Sequence, residues 1–204
     1  MRSTLAIALL ALSAACGKKE DAPALDTPAP DTFRVRFETS KGPFVVEAIR
    51  AWAPNGADRF YQLARAGFFD EDRFFRVVPG FVAQFGLNDS PKLNKYWDGR
   101  KIPDDSVRQS NARGTIVFTN DGPGSRSHQM FINLRDNGRL DRDGFAPFGR
   151  VVEGMEVVDS LYDDYGEDPQ QRMIQSLGNN YLQRMFPKLD YIRTARVVGE
   201  PPPR

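Results

Sequence analysis

FFRVVPGFVAQFG, residues 74–86, decides how the rest of the chain is read. Aromatic and β-branched residues on either side of Pro79-Gly80 read as two strands joined by a turn, because such side chains fit a pleated surface and a Pro-Gly pair bends the chain. Yet the run keeps a cation, Arg76, and an amide, Gln84. A guanidinium beside apolar strands is costly to desolvate unless something pairs with it. Arg76 is therefore either an edge residue reaching for water or a group placed for a task. Gln84 is either an edge amide facing solvent or its companion.

Working outward, FRVRFETSKGPFVVEAI (33–49) alternates Phe33, Val35 and Phe37 with Arg34, Arg36 and Glu38, turns at Ser40-Lys41-Gly42 and resumes, which predicts an opening β-hairpin. PNGADRFYQLARAGFF then spaces Phe60, Leu63 and Ala64 at helical intervals and closes on Gly67, a short amphipathic helix with a glycine stop. Further strands are expected at 115–119, 130–134, 146–151 and 191–198, with a second helix over 153–162. Met173, Ile174, Leu177, Tyr181, Leu182, Met185 and Phe186 suggest an extra helical segment before the last strand, weakened in the middle by Gly178-Asn179-Asn180. Short strands between Gly, Asn and Asp clusters make the chain mainly β, a barrel or a sandwich.

The 204 residues, 40% hydrophobic and 27% charged, suit one domain with appendages. Twenty-eight Lys and Arg against 27 Asp and Glu leave a net charge of +1, which offers no field to hold nucleic acid. Residues 1–15, with one arginine, an apolar stretch from Leu5 to Leu12 and small residues before Cys16, have the layout of a signal peptide. Cys16, the single cysteine, cannot form an intramolecular disulfide, and its position resembles the lipid acceptor of a bacterial lipoprotein, although Ser13 stands where leucine is usual. Residues 16–31 read as a Pro/Ala/Asp-rich tether reaching ~40 Å at about 3 Å per residue. The domain is expected over 32–199, followed by a Pro-rich tail, 200–204. These features place the chain at the cell envelope, lipid-anchored with the outer membrane preferred, or free in the periplasm, and nothing in them calls for more than a monomer.

Absences narrow the chemistry. His128 is the only histidine, so a typical His/Cys metal centre has little support. Asp141 and Asp143 sit in LDRDG, where a turn role is favoured over a cation site. Ser125, Ser127 and His128 are nearly adjacent and lack the setting of a nucleophile elbow. No phosphate loop or dinucleotide fingerprint is present. What remains is aromatic, amide and one arginine, which suits a reaction that breaks no covalent bond.

FFRVVPGFVAQFG, FTNDGPGSRSHQMFI and RLDRDGFAPFGRVVEGMEVVD resemble, in order and spacing, three core segments of the cyclophilin-type peptidyl-prolyl cis-trans isomerases, over about 33–198. The resemblance implies a closed eight-stranded antiparallel β-barrel capped by two α-helices, no cofactor and no metal, proline-containing polypeptides as partners, and isomerisation of X-Pro bonds, in this setting during folding of exported proteins. It implies that Arg76 is held over the proline nitrogen and that Gln84 orients it. Phe81, Val82, Phe131, Leu140 and Phe145 match the walls of the proline pocket, although periodicity alone would place each in a barrel core. Thr119 and Asn120 match the strand that clamps the peptide, and Gln129 a second amide of the groove; Asn120 is equally an Asx-turn former ahead of DGPG.

Departures from the family pattern also stand out. Phe75 and Phe145 occupy positions where many members have histidine, RLDRDGF is one residue longer than usual, and Arg139 replaces the tryptophan of cyclosporin-sensitive members. A competing reading keeps the fold as a proline-peptide-binding or assembly module without turnover, and a third makes it a structural envelope protein. Retention of both Arg76 and Gln84 favours the isomerase. GEDPQQRMIQSLGNNYLQRMFPKL is too long for a plain loop and is expected to pack as an extension before the last strand.

Overall fold

Period-two burial builds the first hairpin. In β1 (Thr32–Thr39) Phe33, Val35, Phe37 and Thr39 are buried while Arg34 and Arg36 face water, and β2 (Gly42–Ile49) answers with Phe44, Val46 and Ala48. Phe37 pairs with Phe44 across the ladder, and their rings stack at 4.6 Å. The computed structural model describes residues 27–202; the segment read as a signal peptide, Cys16, most of the segment read as a tether and the last two residues lie outside them.

Six more strands follow: β3 (Arg76–Val78), β4 (Val82–Phe85), β5 (Thr115–Phe118), β6 (Met130–Asn133), β7 (Pro147–Glu153) and β8 (Ile192–Val197). All pairings are antiparallel, in the order β3-β4-β6-β5-β7-β2-β1-β8. The two ends of this sheet meet just before β3 and β8. Arg73 bridges Tyr191, Phe74 N–H donates to the Asp190 carbonyl at 3.0 Å, and Ile192 N–H to the Asp72 carbonyl at 2.8 Å. The eight antiparallel strands therefore curl round as a barrel-like sheet, whose edge strands β3 and β8 are joined by this short bridge and not by a full ladder.

Helix α1 (Pro54–Arg65) lays Ala57, Phe60, Leu63 and Ala64 on the barrel core, where Phe60 meets Phe37, Phe69 and Phe148. The helix α3 (Met155–Asp159) is shorter than the periodicity over 153–162 suggests; Gly154, at φ 78°, starts it, and Val158 is its fully seated residue. Between them α2 (Pro91–Asp98) was not anticipated: only Asn94 and Trp97 are buried, too few to set a period. Ser90 Oγ caps it by accepting from Leu93 N–H, with Pro91 at the first turn.

The extension before the last strand is two helices, α4 (Gln171–Leu177) and α5 (Asn179–Met185). They break at Gly178, where φ is 58° and an added Cβ would lie 1.9 Å from the Asp89 carbonyl oxygen. Ile174, Leu182 and Leu189 bury Phe75 and Leu87 in a small second core, fringed by Tyr165, Tyr181 and Phe186. Phe75, at a position where the resemblance leads one to expect histidine, is thus an anchor for this extension. On either side of the strands and helices, Ala29 is buried, with its N–H donating to Asp58, and Glu200 accepts from the Tyr61 hydroxyl at 2.6 Å and pairs with Arg65. Among the described residues no helix is long and apolar enough to cross a membrane.

Candidate active site

Strand alternation sorts the residues of the opening motif onto two faces. Val77, Ala83 and Phe85 point into the barrel core, so Arg76, Val82 and Gln84 must project outward. Register then gathers them: Arg76 lies opposite Gln84, Gln84 opposite Phe131, and Phe131 opposite Val117. Val82, Val117, Phe131 and Leu140 form a cluster of their own, with Phe81 and Phe145 packed on it, separate from the barrel core. Arg76, Phe81, Val82, Gln84, Thr119, Asn120, Phe131, Leu140 and Phe145 line one hollow of about 290 Å³, joined by Asp121 and Gln171. Gln129 lies in the adjoining hollow, which shares Thr119, Asn120, Asp121 and Gln171.

The polar groups form a relay. Arg76 Nη1 donates to Gln84 Oε1 at 3.3 Å, and Gln84 Nε2 donates to Gln129 Oε1 at 3.0 Å. Gln84 is buried and Arg76 half-buried, so the amide is the fixed partner and the guanidinium reaches outward. The Arg76 cation also lies 5.6 Å from the centre of the Phe81 ring, and Arg139, the residue in place of tryptophan, lies over the same ring at 4.9 Å.

Supporting contacts hold the apolar wall. The Phe131 and Phe145 rings meet edge to face at 5.7 Å. Leu140 belongs to a 3-10 turn (Gly138–Asp141), and Asp141 ties that turn to the neighbouring loop by accepting from Ser110 Oγ and from Asn111 N–H and Nδ2. Although burial raises its carboxyl, those hydrogen bonds hold it below the usual range. Asp141 is thus a strut of the pocket. Asn120 does form the Asx contact, its Oδ1 accepting from Gly122 N–H at 3.3 Å, while also lining the hollow.

Beneath the motif, Gly86 passes His128 and Gln129 closely at φ 103°: a Cβ there would stand 2.4 Å from the His128 carbonyl oxygen. His128 is buried, its Nδ1 2.7 Å from the Gly86 carbonyl, and burial lowers its pKa, so the neutral ring is a structural pin. Asp72 accepts from Gly86 N–H at 2.7 Å and Leu87 N–H at 3.3 Å, while complete burial pushes its carboxyl up to about 7. Nothing in the sequence around Asp72 marks it as buried. Gln171 and Asp121 were equally invisible as parts of the hollow: the first comes from the extension, whose docking no local pattern reports.

Comparison with known proteins places the chain in a family. The family model for cyclophilin type peptidyl-prolyl cis-trans isomerases matches residues 34–178. A peptidyl-prolyl cis-trans isomerase of Streptomyces antibioticus is 34% identical over 136 residues, covering 62% of this chain and 81% of the relative. Peptidyl-prolyl cis-trans isomerase A of Dickeya dadantii is 35% identical over 140 residues, covering 65% and 73%. The crystal structure of a cyclophilin type isomerase of Cryptosporidium parvum superposes with a TM-score of 0.60 at 19% identity, covering 83% of this chain and 99% of that one, and the same protein has been crystallised in the presence of the dipeptide Ala-Pro. By fold and by sequence, the chain belongs to the cyclophilin-type peptidyl-prolyl cis-trans isomerase family, whose members interconvert the cis and trans forms of X-Pro bonds.

Proposed function

We propose that this chain catalyses X-Pro isomerisation at the hollow under Arg76, with proline-containing segments of exported polypeptides as its substrates. Rotation about the X-Pro amide is slow because resonance must be lost, a barrier of ~18–20 kcal/mol. As the bond twists, the proline nitrogen leaves conjugation and becomes a better hydrogen-bond acceptor. A guanidinium beside that nitrogen stabilises the twisted state more than either planar one, which is the differential binding that lowers a barrier. No proton changes hands, so phenylalanine at positions 75 and 145 is compatible with turnover.

Each other group has a derived task. The slot of Phe81, Val82, Phe131, Leu140 and Phe145 takes the pyrrolidine ring, and its apolar walls are already packed, which limits the entropy lost on binding. Gln84 holds the Arg76 fork, Gln129 holds Gln84, and Thr119 with Asn120 offers the edge along which an extended peptide lies. The observation that carries the reading is the Arg76-Gln84-Gln129 relay standing beside the apolar cluster of Val82, Phe131, Leu140, Phe81 and Phe145. It is tested by exchange NMR of a short Ala-Pro peptide: added protein should broaden and merge the cis and trans signals. Unchanged exchange with retained binding would reassign the chain to a proline-peptide-binding module.

The envelope setting rests on residues 1–16: the apolar run, the small residues and Cys16 support export followed by lipidation, and the tether that follows would hang the domain from the membrane surface. Mass spectrometry of the mature N-terminus tests it. A diacylglyceryl mass on Cys16, lost in Cys16→Ser, is the expected result, and an unmodified chain beginning at Met1 would refute it.

A further inference from the structure

The extension does more than bury Phe75. Its Glu167 reaches Arg76: Oε1 accepts from Arg76 Nε at 2.7 Å and also pairs with Nη2, so two of the three guanidinium nitrogens face a carboxylate and the third faces Gln84. The Glu167 side chain is 65% exposed against 23% for Arg76. The carboxylate can therefore swing into water while the guanidinium stays in place. Its backbone is carried by an anchored segment: Ile174, Leu182 and Leu189 are fixed on Phe75 and Leu87, and Asn179 is held by Asp89 and by the Glu71 carbonyl. Gln171, four residues on, already lines the hollow.

We propose that Glu167 is a specificity-determining residue of the isomerase, favouring X-Pro bonds flanked by lysine or arginine over those flanked by aspartate or glutamate. The inference rests on the reading of the hollow as the isomerase site. For a peptide to use Arg76, Glu167 must give up its donors, and the released carboxylate then needs another countercharge. A cation beside the bound proline supplies it. An anion there instead sets two carboxylates side by side, with Asp121 a third acidic group along the same wall. Unit charges a few ångströms apart at a half-exposed site shift rates by about three- to tenfold, and salt weakens the effect.

The test compares kcat/KM for tetrapeptides carrying lysine, alanine or glutamate next to the proline, on either side, with the full wild-type chain and Glu167→Gln at low and high ionic strength. The expected result is a wild-type lysine-to-glutamate preference of about three- to tenfold on at least one side, shrinking in high salt and falling below about twofold in Glu167→Gln. An identical preference in both proteins overturns the assignment while leaving the isomerase reading intact. Absence of catalysis with every peptide would remove the isomerase reading and this inference with it.

Discussion

Replacing Gln84 by leucine isolates the orientation of Arg76 from its charge. The amide is buried, accepts from Arg76 Nη1 at 3.3 Å and donates to Gln129 at 3.0 Å, and leucine fills a similar volume with neither contact. A hydrogen bond to a charged group contributes about 1.5–3 kcal/mol, and the length of this one points to the lower end. A loss of ~1.5 kcal/mol in the twisted state only corresponds to roughly a tenfold lower kcat/KM. Since the proline slot is untouched, binding of a proline peptide in its ground state should change by less than about twofold. Exchange NMR line shapes give the rate, and peptide titration gives the affinity. A rate within twofold of wild type would refute the idea that Gln84 fixes the fork. Equal losses in rate and affinity would show that leucine had closed the slot instead.

Other perturbations probe the frame. Asp72 has a folded pKa of about 7 against ~3.9 for an unfolded aspartate, so the folded state binds its proton more tightly; its stabilising contribution is present below about pH 4 and is lost as pH rises through 7. Wild type should therefore lose stability relative to Asp72→Asn by on the order of a few kcal/mol between pH 5 and 8 in urea denaturation, and a gap that does not move with pH would contradict this. Gly86→Ala puts a Cβ 2.4 Å from one backbone atom and 2.8 Å from another at a positive φ, so a cost of at least ~3 kcal/mol and a melting temperature lower by roughly 6–12 °C are expected; a shift under about 2 °C would mean that the close approach relaxes freely. Arg139 stands over Phe81 without an indole N–H to offer, so cyclosporin should inhibit only weakly, and a submicromolar inhibition constant would show that another donor takes that part.

Local chemistry accounts for what could be read from the chain. The hairpin of β1 and β2, the strand pair around Pro79-Gly80 and α1 follow from period and turn residues, whereas the choice of a barrel over a sandwich came from the family resemblance and not from local pattern. Arg76 and Gln84 stood out because polar groups inside an apolar run demand a reason, but the family resemblance, and not the run itself, chose a site role for them over an edge position. Phe81, Val82 and Phe131 were ambiguous for the same cause in reverse: apolar strand residues look alike whether they face the barrel or the hollow, and the register that separates Val82 from Ala83 resides in pairing with β6. Helix α2 was missed because two buried residues in eight give no periodicity, although Ser90-Pro91 is a start signal. Glu167 was illegible for a physical reason: its meeting with Arg76 spans 91 residues and depends on how the extension docks on Phe75.

The most direct test of the account is the isomerisation rate of a short X-Pro peptide with the full chain and with its Arg76→Ala variant, each shown to be folded by circular dichroism. Removing a preorganised donor costs ~3–4 kcal/mol, so the variant should lose about 10²–10³ in kcat/KM while still binding the peptide. A variant that turns over within a few-fold of wild type would contradict the claim that Arg76 is the group that lowers the rotation barrier.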